Sequence, residues 1–356
     1  MGDTIRFKKG LKSEAPVLDI GMPGFNTDDN SLFIGGANGN VEFSNKEYLD
    51  SKLFTRSGYN IAINGEFRIN QRDQETYTEN GKYTIDRWSL ANFGRDSKSH
   101  GSLTHKNESG FNYISLTGAK DQQLYIQQKL EPGYCRMLSN KTVTLSAYIR
   151  VQNMTKGNLF VQVSHQGSTS KHPNKFVDYT KLTNEWQRIS VTTKLGDLLT
   201  DIVLQIGTFD NESEGYKIAN EEAIIDISYV KFEVGDEPTE FIPRLYSEEL
   251  ALCQRYYEKS NHNIRGIVGG DSLRIDLDVQ YKVTKRSAPT VTLYGSSNEK
   301  NTIKVVSSEI NLNAIIYANG MDGFGCIDVH AKDDSFTVIP NLVCELFAWE
   351  SDSELY

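Results

Sequence analysis

Along most of this chain apolar and polar residues alternate. In KTVTLSAYIRV (141–151), Val143, Leu145, Ala147, Ile149 and Val151 share one face, while Thr142, Thr144, Ser146 and Arg150 share the other. A period of two places successive side chains on opposite sides of a pleated strand, so this is a half-buried β-strand. NLFVQVSHQ, WQRISVTTKL, DIVLQIGTF and AIIDISYVKFEVG repeat the pattern, separated by NMTKGN, HQGSTSKHPNK and DNESEGY, whose Gly, Asn, Asp and Pro content marks turns. Strand follows strand from residue 59 to 245 without βαβ alternation, which predicts an antiparallel two-sheet sandwich of jelly-roll type. Strands resume in DSLRIDLDVQYKV, with Leu273, Ile275, Leu277, Val279 and Tyr281 facing inward, and continue through APTVTLY, TIKVVSS, NAIIYAN, SFTVIP and LVCELFAWE as a smaller sandwich-like β-domain. The fold class expected is all-β.

Two stretches break the pattern. TEFIPRLYSEELALCQRYYEKS (239–260) is extended up to Pro243, which stops further strand pairing, and a short connecting helix then starts at Ser247. Leu250, Cys253 and Tyr257 fall on one side of that helix at i, i+3, i+7 spacing, as a joint between β-domains or around an oligomer axis would require. Near the start, APVLDIGMPGFNTDDNSLFIGGANGN places tight turns between very short strands, and SNKEYLDSKLF follows, with Ser44 and Glu47 forming a capping box for a short helix. So small a segment cannot bury a useful core alone and must lean on a neighbour or on copies of itself. Three regions result: an N-terminal segment 1–58, a sandwich 59–245, and a connecting helix with its β-domain, 246–356.

Composition narrows the function classes. Of 356 residues, 38% are hydrophobic and 24% charged, and no apolar run reaches the ~20 residues that cross a bilayer, so membrane insertion is not expected. The first residues show neither a secretion signal nor the usual myristoylation pattern. A net charge of −9 without a long Lys/Arg block argues against nucleic acid. The four cysteines, Cys135, Cys253, Cys326 and Cys344, lie far apart with no zinc-type spacing, and read as thiols made in a reducing cytoplasm. H-E-x-x-H, G-x-S-x-G and P-loop motifs do not occur, and FIGGANGN is a turn rather than a phosphate cradle. Asp276 and Asp278 in RIDLDV share a strand face about 7 Å apart, close enough for a glycosidase pair, but a wet strand face carries polar residues by default. The expectation is a protein that is not an enzyme.

In order, NIAINGEFRINQRD, YTIDRW, KTVTLSAYIRV, EWQRISVT, ISYVKFEVGDEPTEFIPRLYSEELALCQRYYEKS, KRSAPTVTLYG and AWESDSELY resemble the hallmark segments of a family of bacteriophage and prophage tail-fibre and capsid-fibre proteins, over residues 60–356. GMPGFNTDDNSLFIGGANGN is similar to the turn-rich N-terminal motif that joins phage receptor-binding proteins to the particle. The resemblance implies a carbohydrate-binding-module-like jelly roll, a distal β-domain as the tip, assembly as a homotrimer, and attachment to other virion proteins through residues 1–58. It places Trp88 and Trp186 in the core. Made in the host bacterial cytoplasm, such a chain ends in the virion, at the tail in preference to the capsid surface.

Candidate ligand contacts follow from the chemistry of sugars, whose apolar C–H faces stack on aromatic rings while hydroxyls meet polar side chains. Tyr113, Tyr125, Tyr148 and Phe160 are the candidates, since Tyr148 and Phe160 face away from the aliphatic rows of their strands. Many jelly rolls of this kind hold a structural calcium between their first and last strands. Glu66 and Asp226 occupy those places in strand order, so a structural calcium is the one cofactor to test for, and no other is expected. The function expected is a tail fibre that holds host surface polysaccharide or lipopolysaccharide by weak, multiplied, non-catalytic contacts. A purely structural head fibre, collar or adaptor is the alternative, and a glycan depolymerase a distant third.

Overall fold

The computed structural model describes residues 8–14, 16–26, 32–43, 58–94, 98, 100–118, 122–167, 174–209, 219–261, 263–269, 274–295, 299–306, 311–331, 338 and 343–354. The chain divides into two compact units, Met1–Tyr59 and Asn60–Tyr356. The first contains one four-stranded sheet, ordered β1 (Lys8–Gly10), β2 (Pro23–Asn26), β3 (Leu32–Gly36) and β4 (Gly39–Phe43), with β1 and β2 parallel. Its glycines answer to close contact. A Cβ on Gly35 would fall 2.1 Å from the Asp19 carbonyl oxygen, so the 18–19 backbone crosses β3 only where a side chain is missing. Asn40 fastens the same crossing, accepting from the Leu18 N–H and donating to the Pro16 carbonyl. The helix expected at Ser44 lies outside the described residues.

In the second unit the alternating strands form two antiparallel sheets. In chain order they are β5 (Thr76–Tyr77), β6 (Ser89–Gly94), β7 (Ser102–Glu108), β8 (Phe111–Thr117), β9 (Gln122–Lys129), the short helix α1 (Pro132–Met137), β10 (Thr142–Gln152), β11 (Asn158–Gln166), β12 (Asn174–Asp178), β13 (Gln187–Lys194), β14 (Asp201–Thr208) and β15 (Ile224–Val234). One sheet runs β13-β10-β15-β8-β7-β5 and the other β12-β11-β14-β9-β6, a jelly-roll sandwich. Alternation holds: Val143, Leu145, Ala147 and Ile149 on β10, and Leu204 and Ile206 on β14, are fully buried. One bulge departs from it, where β10 and β15 shift register between Ser146 and Tyr148, and Tyr229 takes a left-handed φ of 47°.

After β15, residues 235–245 lead to the helix α2 (Tyr246–Gln254). The β-structure that follows comprises β16 (Tyr257–Ser260), β17 (Ile264–Ile267), β18 (Arg274–Gln280), β19 (Thr290–Tyr294), β20 (Thr302–Val305), β21 (Asn311–Asn319), β22 (Gly323–His330), β23 (Val343–Leu346) and β24 (Ala348–Asp352). It forms a three-stranded sheet, β16-β24-β19, and a six-stranded sheet, β17-β23-β20-β21-β22-β18, around a core that includes Ile275, Leu293, Ile303, Leu312, Ile327 and Trp349. The junction expected near residue 245 falls inside the second unit. Side chains from both sides of it are joined there: Glu354 pairs with Arg87 in full burial, Arg87 stacks 3.6 Å over the Tyr256 ring, and the Tyr256 hydroxyl donates to Glu131.

The segment NIAINGEFRINQRD builds the seat for this junction. Asn64 bridges with both side-chain atoms, accepting from the Ile69 N–H and donating to the Ile69 and Asp86 carbonyls, while its carbonyl accepts from the Trp88 indole. The Asn64 N–H donates to Glu249 of α2, 2.6 Å away, and Glu249 also accepts both bonds from Arg244. Asn64, Glu249 and Arg244 hold the architecture together, because each buried polar group left without a partner would cost about 1–3 kcal/mol.

Candidate functional site

The outer face of the five-stranded sheet gathers aromatic and amide side chains in adjacent rows. Cross-strand register sets Tyr125 of β9 beside Gly207 of β14, Gly207 beside Phe160 of β11, and Phe160 beside Phe176 of β12. Two residues further along each strand, a second row runs Gln127, Gln205, Gln162, about 7 Å from the first by strand rise. The Gln205 amide donates to the Gln127 carbonyl oxygen at 3.2 Å, so one donor and one acceptor are tied within the row and the others remain for a ligand.

Gly207 lets the aromatic row close. Its φ of 155° is in the range L side chains avoid, and a Cβ there would lie 2.4 Å from the Leu124 carbonyl oxygen. With no side chain between them, Tyr125 and Phe160 meet edge to face at 5.4 Å, Phe160 stacks on Phe176 at 6.1 Å, and Phe209 closes on Phe160 at 5.5 Å. Phe160 is 2% exposed and acts as the base of the group; Tyr125, Phe176 and Phe209 are half-buried and supply its accessible edges. Burial raises the Tyr125 hydroxyl above its ordinary range, so it stays a neutral donor. An apolar ring row beside an amide row matches an elongated ligand whose own surface alternates between C–H faces and hydroxyl edges.

Tyr113 and Tyr148 lie on the outer face of the other sheet. There Phe111 and Tyr113 each meet Trp186 edge to face, at 5.2 and 5.6 Å, and Arg150 lies 4.9 Å over the Trp186 ring while its Nε holds Asp226 at 2.7 Å. Tyr148 meets Tyr229, and Tyr229 stacks on Phe241 at 4.7 Å. Phe241 belongs to the connector, which this face holds further through Lys231, donating to the Thr239 hydroxyl and the Glu240 carbonyl, and through Glu233, accepting from the Thr239 N–H. The chain's own connector therefore covers the Tyr229 end of the second aromatic face, beside Tyr148. Trp186, expected in the core, is half-buried at this surface, because it falls on the side of Arg188 and Ser190, opposite the buried Ile189 and Val191; Trp88 is fully buried.

The residues present do not fit a calcium ion. Glu66 is paired with Arg68 at 2.7 Å, Asp226 accepts from Arg150, Ser115 and Gln152, and among the described residues no group of three His, Cys, Asp or Glu side chains could hold a metal. An arginine already supplies the positive charge at each carboxylate. Of the expected joint residues, Cys253 is fully buried against Ile63, Ile69 and Tyr256, with Leu250 packed at the edge of the cluster. Tyr257 does not belong to the helix. Helix α2 ends at Gln254, and Tyr257 opens β16, opposite Asp352, with its hydroxyl on Glu350. The helix begins one residue earlier than expected, with Leu245 at a cap position that makes no side-chain bond. Cys135 and Cys344 are also buried free thiols. Asp278 is exposed, and the side chain of Asp276 lies outside the described residues.

Gln127, Gln162, Gln205, Phe176, Phe209 and Gly207 escaped sequence reasoning. Alternation alone marks each as outward, but only strand order and register bring them together.

No protein-family profile matches the sequence, and no curated protein does. Among solved structures, the chain is similar to the CBM22-1 xylan-binding domain from Paenibacillus barcinonensis Xyn10C, at 11% identity and TM-score 0.33, over 52% of this chain and 99% of that one. It is similar to the CBM22-1–GH10 modules of a Clostridium thermocellum endo-1,4-beta-D-xylanase complexed with xylohexaose, at 14% identity and TM-score 0.34, over 50% of this chain and 29% of that one. It is also similar to the enzymatically active domain of bacteriophage CBA120 tailspike protein 4, at 11% identity and TM-score 0.33, over 49% of this chain and 21% of that one.

Proposed function

We propose that this chain is a non-catalytic attachment protein of a virion, a tail fibre that binds host surface polysaccharide or lipopolysaccharide through the outer face of its five-stranded sheet. The observation that carries the reading is the ring row of Tyr125, Phe160 and Phe176 beside the amide row of Gln127, Gln205 and Gln162. Rings stack on sugar faces, amides read hydroxyl edges, and the sheet holds both rows rigid before a ligand arrives. The ordered motifs from NIAINGEFRINQRD to AWESDSELY support the virion context.

Binding of the full-length chain to immobilised bacterial lipopolysaccharides and capsular polysaccharides tests the reading. Tyr125→Ala combined with Gln205→Ala should weaken binding about tenfold with unchanged melting, and the wild type should release no reducing sugar. Equal binding by the double variant would remove the sheet face from the account, and released sugar would make the protein a depolymerase. A purely structural virion role is the second reading. It is favoured by Val17 and Ile20, each 78% exposed in the N-terminal unit, and predicts tight binding to fibreless particles with no glycan binding at all.

A further inference from the structure

A cleft of about 400 Å³ opens where residues 72–84 of the jelly roll meet β16, β19 and β24. That volume lies within the range of small-ligand sites, about 300–1,000 Å³. Its tyrosines are held from behind. The hydroxyls of Tyr257 and Tyr294 both donate to Glu350, at 2.7 and 2.6 Å, and the Tyr77 hydroxyl donates to Asn70 at 2.7 Å. With the hydroxyls fixed, the rings cannot turn away: Tyr77 and Tyr257 are buried in the wall, and half-buried Tyr294 keeps an accessible ring at little entropic cost on binding. Arg72 lies at its floor, the guanidinium 3.8 Å over the Tyr257 ring. Its two terminal nitrogens are buried and have no hydrogen-bond partner among the described residues; the nearest carboxylates, Asp352 and Glu354, stand off at 3.6 and 3.9 Å. Buried donors in that condition favour an incoming oxygen acceptor.

Charge decides which acceptor. Arg72, Lys82, Lys259 and Lys300 line the cleft together with Glu79, Glu350 and Asp352, so cations and carboxylates nearly balance, and Glu354 lies beneath. An anion would meet the carboxylates around Arg72 at close range, whereas a hydroxyl accepts from Arg72 or a lysine and donates to a carboxylate without carrying charge.

We propose that this cleft is a second saccharide site, separate from the sheet face, that takes one or two neutral pyranose units. The half-buried Tyr294 ring supplies the stacking surface, Arg72 and the lysines supply donors, and Asp352 and Glu79 supply acceptors. The site exists only because β16, β19 and β24 are docked on the jelly roll, so it joins ligand binding to the union of the two β-parts.

The test uses the full-length chain in isothermal titration with neutral gluco-, manno- and galacto-tetrasaccharides and with tetragalacturonate as the acidic counterpart. Thr78→Trp, an exposed substitution that fills the cleft, and Tyr294→Ala, which removes a ring, are compared with the sheet-face variant Tyr125→Ala, each checked by thermal melting. The expected result is a neutral tetrasaccharide whose affinity falls about tenfold in both cleft variants. A second binding event should survive in Tyr125→Ala and disappear in Thr78→Trp. If the cleft variants bind every neutral sugar as the wild type does while Tyr125→Ala does not, the cleft proposal is overturned and the sheet-face reading stands. Loss only in the cleft variants overturns the sheet-face reading and keeps the cleft. Tighter binding of tetragalacturonate, by way of the cleft, overturns the neutral assignment, and binding of no saccharide overturns both.

Discussion

Asp86 is a single residue whose burial has a measurable consequence. It is fully buried, accepting from the Gln71 N–H and the Gln71 amide, both at 2.7 Å, and the loss of water raises its pKa from 3.8 to about 6 despite the nearby Arg72. A carboxyl whose folded pKa lies above its unfolded value binds protons more tightly in the folded state. Its contribution to stability is complete below pH 3.8 and is lost as pH rises through about 6. Asp86→Asn keeps an acceptor for Gln71 and removes the titration. Urea unfolding at pH 4, 5, 6 and 7 should show the variant gaining on the wild type between pH 4 and 6, with a constant difference above about 7. Parallel profiles throughout would mean that Asp86 does not titrate in that window. The same residue shows what the motif YTIDRW does. Asp86, Arg87 and Trp88 all point into the junction, and none reaches the sheet face where Tyr125 lies.

Strands were legible in the sequence and their neighbours were not. Alternation showed that Tyr148 and Phe160 face away from their aliphatic rows, because parity within a strand is a local property. It could not show that Phe160 and Tyr125 meet across Gly207, or that Tyr113 and Tyr148 belong to the opposite sheet, because register is set by contacts far apart in sequence. Helix α2 shows the opposite error. Leu250, Cys253 and Tyr257 fit helical spacing equally well, yet pairing of Tyr257 with Asp352 on β24 ends the helix before that residue. What holds α2 is Cys253 with Leu250 against Ile63 and Ile69, and Glu249 on the Asn64 N–H. Leu250→Asp places a charge at that apolar edge and should cost about 1–3 kcal/mol. The loss should fall on docking rather than on the sandwich, so limited proteolysis should cut the connector at 235–245 faster while the jelly-roll fragment survives. A variant that resists protease as the wild type does would show that α2 does not couple the two β-parts.

Whole-molecule behaviour turns on the N-terminal unit. Its described strands are three to five residues long, and of its apolar side chains Leu18 and Phe33 are buried while Val17, Ile20 and Val41 remain open to solvent. Exposed apolar side chains on and between such short strands are surface that copies of the chain would cover on assembling. We expect the full-length chain to be a trimer by light scattering, and a chain lacking residues 1–59 to be a monomer. Affinity should then divide by assay. A soluble tetrasaccharide fills one site at a time, so both forms should bind it equally. A polysaccharide-coated surface is met by several sites at once, and tethering raises the effective concentration of the second and third, so removal of residues 1–59 should weaken surface binding about 100-fold or more. A truncated chain that remained trimeric would move assembly to residues 60–356, and one that bound the surface as tightly while monomeric would make attachment a property of single sites.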